Sequence, residues 1–111
     1  MPPVTPNPIA GIERGTVFLL ARWSGPSVLA RDHLQRAWSA AELPDSELYV
    51  LDWDEHGASL RELPQLPGRV HGYGEAFHVR HGSIIYLHVL GRKHSNIDHE
   101  IQSFLQRAGN A

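Results

Sequence analysis

The feature that most constrains the fold of this chain is the segment WSGPS at residues 23–27, where an apolar run gives way to a helical pattern. Residues 16–21 form a short continuous apolar run, which is typical of a β-strand covered on both faces. Beyond Pro26, apolar side chains recur at helical spacing, and proline suits the first turn of a helix. The segment therefore predicts a strand, a turn and a helix in immediate succession.

The rest of the sequence continues this alternation of strands and helices. Residues 48–53, 75–80 and 83–90 have strand character, and a tight turn joins the last two into a hairpin. A short helix is predicted over residues 59–63, and an apolar stripe predicts a longer one over residues 97–108. The order β-α-β-α-β-β-α predicts an α/β fold, in which a central mixed sheet of about four strands is flanked by helices.

Length and proline content set the domain organisation. The 111 residues are enough for one domain with its own core. Residues 1–8 contain four prolines and no periodic apolar pattern, which predicts an extended or disordered arm. We therefore divide the chain into a Pro-rich N-terminal arm over residues 1–15 and a single folded domain over residues 16–111.

Charge and composition exclude several classes of function. Ten basic residues oppose twelve acidic ones with the signs interspersed, so neither nucleic acid nor a membrane surface is an expected partner. The apolar runs are too short to span a bilayer. The N-terminus has no secretory signal pattern, and we expect a cytoplasmic protein. The sequence contains no cysteine, which excludes disulfides, thiolate metal sites and thiol catalysis.

Residues 16–108 resemble the thioredoxin family in the order and lengths of their elements. The WSGPS segment is similar to the family's active-site turn, WCGPC, and lies at the same strand-to-helix junction. The sequence VHGYG at residues 70–74 lies where thioredoxins have a cis-proline, and residues 80–82 match the family's hairpin turn. The resemblance implies a thioredoxin-like three-layer sandwich in which the family's first strand or first helix is missing or reduced.

The departures from the family's pattern imply that its redox chemistry is absent. Ser24 and Ser27 replace the two cysteines, and a serine hydroxyl titrates too high to act as a thiolate does. Gly74 lies at the cis-proline position. Phe18 and Val50 lie where thioredoxins commonly have a buried aspartate and its lysine partner. We therefore expect a redox-inactive member that is not an enzyme, with apolar side chains filling the space of the polar pair.

The surface equivalent to the thioredoxin active site is the candidate binding site for another protein. We call it the candidate surface, and it comprises Trp23, Ser24, Gly25, Pro26, Ser27, Tyr73, Gly74 and Glu75. Trp23 and Tyr73 would act as aromatic anchors. We expect Ser24 to cap the following helix rather than act as a nucleophile, because no histidine or aspartate lies nearby in sequence as its base. The predicted function is a protein-binding, assembly or chaperone-like accessory factor that needs no cofactor.

Three alternatives stay open at the level of the sequence. The chain would be a Cys-to-Ser form of an active thiol-disulfide oxidoreductase if the serines replace natural cysteines. The eight histidines suggest a metal-binding protein, with His78 and His88 on paired strands as candidate ligands, although a zinc site needs three or four converging ligands. The third alternative is self-association through an exposed edge strand. The sequence leaves the identity of the partner and the oligomeric state open.

Overall fold

The computed structural model describes residue 9 and residues 11–55, 74–90 and 97–110. In this part of the chain, four strands form a mixed sheet in the order β2-β1-β3-β4. The strands are β1 (Arg14–Leu20), β2 (Leu48–Asp52), β3 (Glu75–Arg80) and β4 (Ser83–Val89), and the helices are α1 (Gly25–Ala40) and α2 (Ile97–Asn110). β1 pairs with β2 in parallel and with β3 antiparallel, and β3 and β4 form the antiparallel hairpin.

The predicted mixed sheet of about four strands with helices is confirmed. β1 begins at Arg14, two residues before the predicted start at residue 16, because its first residues already pair with the end of β3. Ile9 and Ile12 belong to the segment predicted as an arm, yet both are buried against the sheet. The helix predicted over residues 59–63 lies outside the described residues. In the described part of the chain, no helix has the length and apolar character needed to cross a membrane.

β1 is the central strand and buries side chains on both faces of the sheet. Phe18 and Leu20 point to the face covered by α1 and α2, where they join an apolar cluster that includes Leu34 and Phe104. Val17 and Leu19 point to the opposite face. Successive side chains of a strand alternate between faces, so a strand covered on both sides reads as continuously apolar. This burial explains the apolar run that precedes the WSGPS turn.

His78 in β3 connects the sheet to α2. Its Nε2–H donates to the Phe104 carbonyl at 2.8 Å, and its Nδ1 accepts from the Thr16 hydroxyl at 2.7 Å. The carbonyl can only accept, so the neutral ring carries its proton on Nε2. The ring also stacks on Phe104, with 4.0 Å between the centroids. Burial lowers the pKa of His78 and outweighs the hydrogen bond to Phe104, which raises it.

α2 makes further polar contacts with its neighbours on this face. Nδ1 of His33 in α1 is hydrogen-bonded to the Asp98 carboxylate at 2.9 Å, and His88 of β4 is paired with Glu100. The Arg107 guanidinium lies over the Tyr86 ring, 4.7 Å from its centroid. These contacts join α2 to α1 and to the hairpin.

Replacing His78 tests whether its imidazole is buried in the neutral form. We expect the stability of the wild type relative to His78→Asn to be fully present above the unfolded pKa of about 6.5 and to decrease as the pH falls below it. The reason is that the unfolded chain binds a proton which the buried ring resists. Urea unfolding between about pH 8 and about pH 5 measures this difference, whose slope is at most about 1.4 kcal/mol per pH unit.

The matched control for this experiment is His81→Asn, because His81 is exposed in the hairpin turn and its ring is paired with Glu13. Its removal takes away no buried imidazole, so the same decrease is not expected. A stability difference between wild type and His78→Asn that stays constant across the pH range would contradict the assignment.

Candidate functional site

The WSGPS turn connects the end of β1 to α1 and directs its tryptophan outward. The Ser24 N–H donates to the Ala21 carbonyl at 3.0 Å, which closes the turn. α1 begins at Gly25 with Pro26 in its first turn, as predicted. The Trp23 side chain is 66% exposed, the largest exposure among the large apolar side chains of the described residues. The turn therefore presents an indole on a backbone that hydrogen bonds hold in place.

Ser27 was predicted on the candidate surface, but it is fully buried and joins α1 to the end of β1. The Ala21 N–H donates to the Ser27 hydroxyl oxygen at 3.0 Å, and the hydroxyl lies 3.5 Å from the Leu19 carbonyl, to which it donates. The side chain thereby satisfies backbone groups at the point where the strand ladder ends. A thiol is a weaker donor and acceptor than a hydroxyl, so serine suits this structural position better than cysteine.

Ser24 has the backbone conformation of an N-cap residue, with φ −109° and ψ 117°, but its side chain makes no capping hydrogen bond. The prediction that the Ser24 hydroxyl caps α1 is therefore wrong, although the residue occupies the N-cap position. An N-cap side chain normally accepts from the second or third N–H of the helix. Pro26 has no N–H to offer, which removes one of these donors.

Gly74, immediately before β3, lies against Phe18 and Ala30. A Cβ atom at this position would be 2.6 Å from the Ala30 Cβ and 3.4 Å from ring atoms of Phe18. Gly74 also has a φ of +83°, in the region that favours glycine. Proline is fixed near a φ of about −65°, so this backbone cannot accommodate the proline that thioredoxins have here. Glycine at residue 74 thus lets α1 approach β3 closely.

Phe18 and Val50 are register partners on the parallel strands β1 and β2. Phe18 is fully buried within the apolar cluster, and Val50 packs against the same cluster. Hydrocarbon therefore occupies the positions that the resemblance assigns to an acid and a base in thioredoxins. An ionised carboxylate placed in such surroundings would lose its hydration, a cost of several kcal/mol unless a cation compensates it.

Glu75 does not lie on an exposed surface as predicted, because it is fully buried. Strand alternation places its side chain on the face of Phe77 and Val79, away from the face that α1 covers. Its neighbours on that face, Phe77 and Val79, are apolar, which was the available signal, but the sequence does not show what covers the face. Tyr73 lies outside the described residues.

His78 and His88 do not converge on a common point. The Tyr86 ring stacks with both, at centroid distances of 6.0 Å and 6.1 Å, and so separates them along the face of the hairpin. Both ring nitrogens of His78 already have partners, and Nε2 of His88 is paired with Glu100. Within the residues that the structure describes, no group of three or more potential ligands could hold a metal ion.

A small, partly open pocket lies at the other end of β1, and sequence reasoning missed it. It has a volume of about 50 Å³, and the lining residues include Arg14, Thr16, Trp38, His78 and Arg80. Pockets that bind metabolites usually have volumes of roughly 300 Å³ or more, so this one has room for a single small group. No local pattern could have predicted it, because its walls come from α1 and the segment that follows it, from β1 and from the hairpin.

No family model and no curated protein matches the sequence. Among solved structures, the chain is similar to mitochondrial thioredoxin 3 from Saccharomyces cerevisiae in its oxidized form, with a TM-score of 0.62 and 14% sequence identity. The similarity covers 93% of this chain and 83% of that chain. At this level of identity the comparison establishes the fold alone. The chain therefore has a thioredoxin-like fold.

The close approach at Gly74 predicts a large penalty for a side chain there. We expect Gly74→Ala to lower the free energy of unfolding by about 2–4 kcal/mol, because the methyl group would overlap Ala30 and the backbone conformation disfavours it. Urea unfolding measures the change. The matched control is Gly25→Ala, since no atom lies within 4 Å of a Cβ built there, and its effect should stay within about 0.5 kcal/mol. Equal stability of the two variants would show that the contact is not tight.

Proposed function

We propose that this thioredoxin-like protein is redox-inactive and acts as a protein-binding accessory factor, in assembly or in a chaperone-like role. The observation that supports the proposal most strongly is the exposed indole of Trp23 on a turn whose underlying core is apolar. The turn keeps the position and shape of a thioredoxin active-site turn. The two cysteines, the cis-proline and the aspartate–lysine pair that thioredoxins have for thiol–disulfide exchange are replaced.

The replaced groups argue against dithiol chemistry at several independent positions. The Ser27 hydroxyl is hydrogen-bonded to the backbone at the end of β1. The apolar Phe18 side chain fills the space beneath the turn, and Gly74 has a backbone conformation that proline cannot adopt. Thiol exchange needs an activated thiolate, a resolving thiol and proton transfer. Restoring sulfur alone would leave the surroundings of the site unchanged.

The exposure of Trp23 supports protein binding at the candidate surface. Tryptophan is enriched among the residues that dominate binding energy, because it buries a large apolar area and retains one hydrogen-bond donor. Burying a large apolar side chain contributes roughly 1.5–3 kcal/mol. The hydrogen bonds of Ser24 and Ser27 to the end of β1 hold the backbone of the turn in place. Binding a partner there therefore loses little conformational entropy of the backbone.

An affinity pull-down with matched variants tests partner binding. The native cell extract is passed over wild type, Trp23→Ala and Ile85→Ala, the last of which removes an exposed apolar side chain (47% exposed) from β4. We expect wild type and Ile85→Ala to retain the same stoichiometric protein, and Trp23→Ala to bind it at least about tenfold more weakly. Equal retention by all three proteins, or no retention by wild type, would contradict the proposal.

The double variant Ser24→Cys, Ser27→Cys tests redox inactivity. We expect it to fold and to reduce protein disulfides at least about 100-fold more slowly than an ordinary thioredoxin, because positioned proton transfer is missing. Insulin reduction measures the rate, and thiol titration of the unfolded variant confirms that both cysteines are reduced. A rate close to that of thioredoxin would favour the alternative, in which the chain is a Cys-to-Ser form of an active oxidoreductase.

A further inference from the structure

The two outer strands of the sheet differ in how well they could accept another strand. β2 and β4 are the edges of the sheet formed by the described residues. β2 pairs with β1 in continuous register over its whole length, from Leu48 to Asp52. β4 has a register irregularity opposite His78 and Val79. Because bulges twist an edge away from further pairing, β2 is the better template for strand addition.

The sequence of β2, LYVLD, lacks the usual protection of a strand edge. It contains no proline and no lysine, the residues with which many proteins block unwanted pairing. Tyr49 is 37% exposed. Glu47, which precedes the strand, pairs with Arg14 at 3.4 Å, and Asp52, its last residue, pairs with Arg22 at 2.7 Å. Within β2 itself, an incoming strand meets one carboxylate, that of Asp52, which is already paired with a cation.

The sequence of β2 is self-complementary in an antiparallel pair. In an antiparallel pair centred on Val50, that residue lies opposite its own copy, Tyr49 opposite Leu51, and Leu48 opposite Asp52. Within β2, Asp52 is the one charged residue and faces Leu48, so no like charges oppose each other along the strand. A twofold axis would relate the two copies, so that each contributes the same strand to the ladder. The N-terminal residues 1–8 are a poor substitute, because their four prolines cannot donate to a ladder.

We infer that β2 mediates formation of a homodimer, in which two antiparallel β2 strands join two four-stranded sheets into one. The WSGPS turn follows the end of β1 and lies next to the end of β2, because Arg22 pairs with Asp52. The inference rests on the edge of β2 alone and not on the proposed function.

Sedimentation of the full chain tests the dimer between about 1 µM and about 1 mM protein. Wild type, Tyr49→Lys and Ile85→Lys are compared, so that each variant places a lysine on one edge at an exposed apolar position. We expect wild type and Ile85→Lys to dimerise with the same affinity and Tyr49→Lys to dimerise at least about tenfold more weakly. A monomer at all concentrations, a dimer unaffected by Tyr49→Lys, or one equally weakened by Ile85→Lys would overturn the inference.

Amide hydrogen exchange on the unsubstituted chain provides a second readout. It is needed because the Tyr49 ring lies close to the backbone of Gly15, so that Tyr49→Lys could affect folding as well as association. We expect the exchange rates of β2 amides to fall with increasing protein concentration while those of β4 stay constant. Concentration-independent exchange throughout β2 would overturn the inference whatever the variant does.

Discussion

The rest of the structure depends on the close packing of α1 against the start of β3. Ala30 and Gly74 approach so closely that a side chain at residue 74 would overlap the Ala30 methyl group, and the Phe18 ring lies directly beside them. This contact fixes the distance of α1 from the sheet. Because the WSGPS turn connects β1 to α1, it also fixes the place of Trp23. A larger residue at 74 would move the helix and the turn together.

The WSGPS turn resembles a thioredoxin active-site turn but contains no sulfur. The turn is held by backbone hydrogen bonds and by the buried Ser27 hydroxyl, none of which requires sulfur. Beneath it, Phe18 and Val50 contribute hydrocarbon to the core. Apolar side chains of suitable size can replace a buried polar pair without loss of stability, and often with a gain. Under the proposed function, the exposed indole of this turn serves recognition alone.

The sequence predicted what depends on local patterns and missed what depends on distant neighbours. Periodicity located β1, α1, the hairpin and α2, because burial on one or both faces leaves a repeat in the chain. The burial of Glu75 was missed because the sequence does not show what covers each face of β3. The contacts of His78 with Thr16 and Phe104 join residues 62 and 26 positions apart, and no local pattern reports such pairings. The missing cap at Ser24 depends on side-chain orientation, which residue preferences do not determine.

The central claim is that the Trp23 turn binds another protein while the site beneath it does no chemistry. Site-specific photocrosslinking in the native cells tests it most directly. A photoreactive phenylalanine analogue is placed at residue 23 in one protein and at residue 85 in another, since both side chains are exposed. The account predicts one discrete covalent adduct from residue 23 that residue 85 does not give. No adduct from residue 23, or the same adducts from both positions, would contradict it.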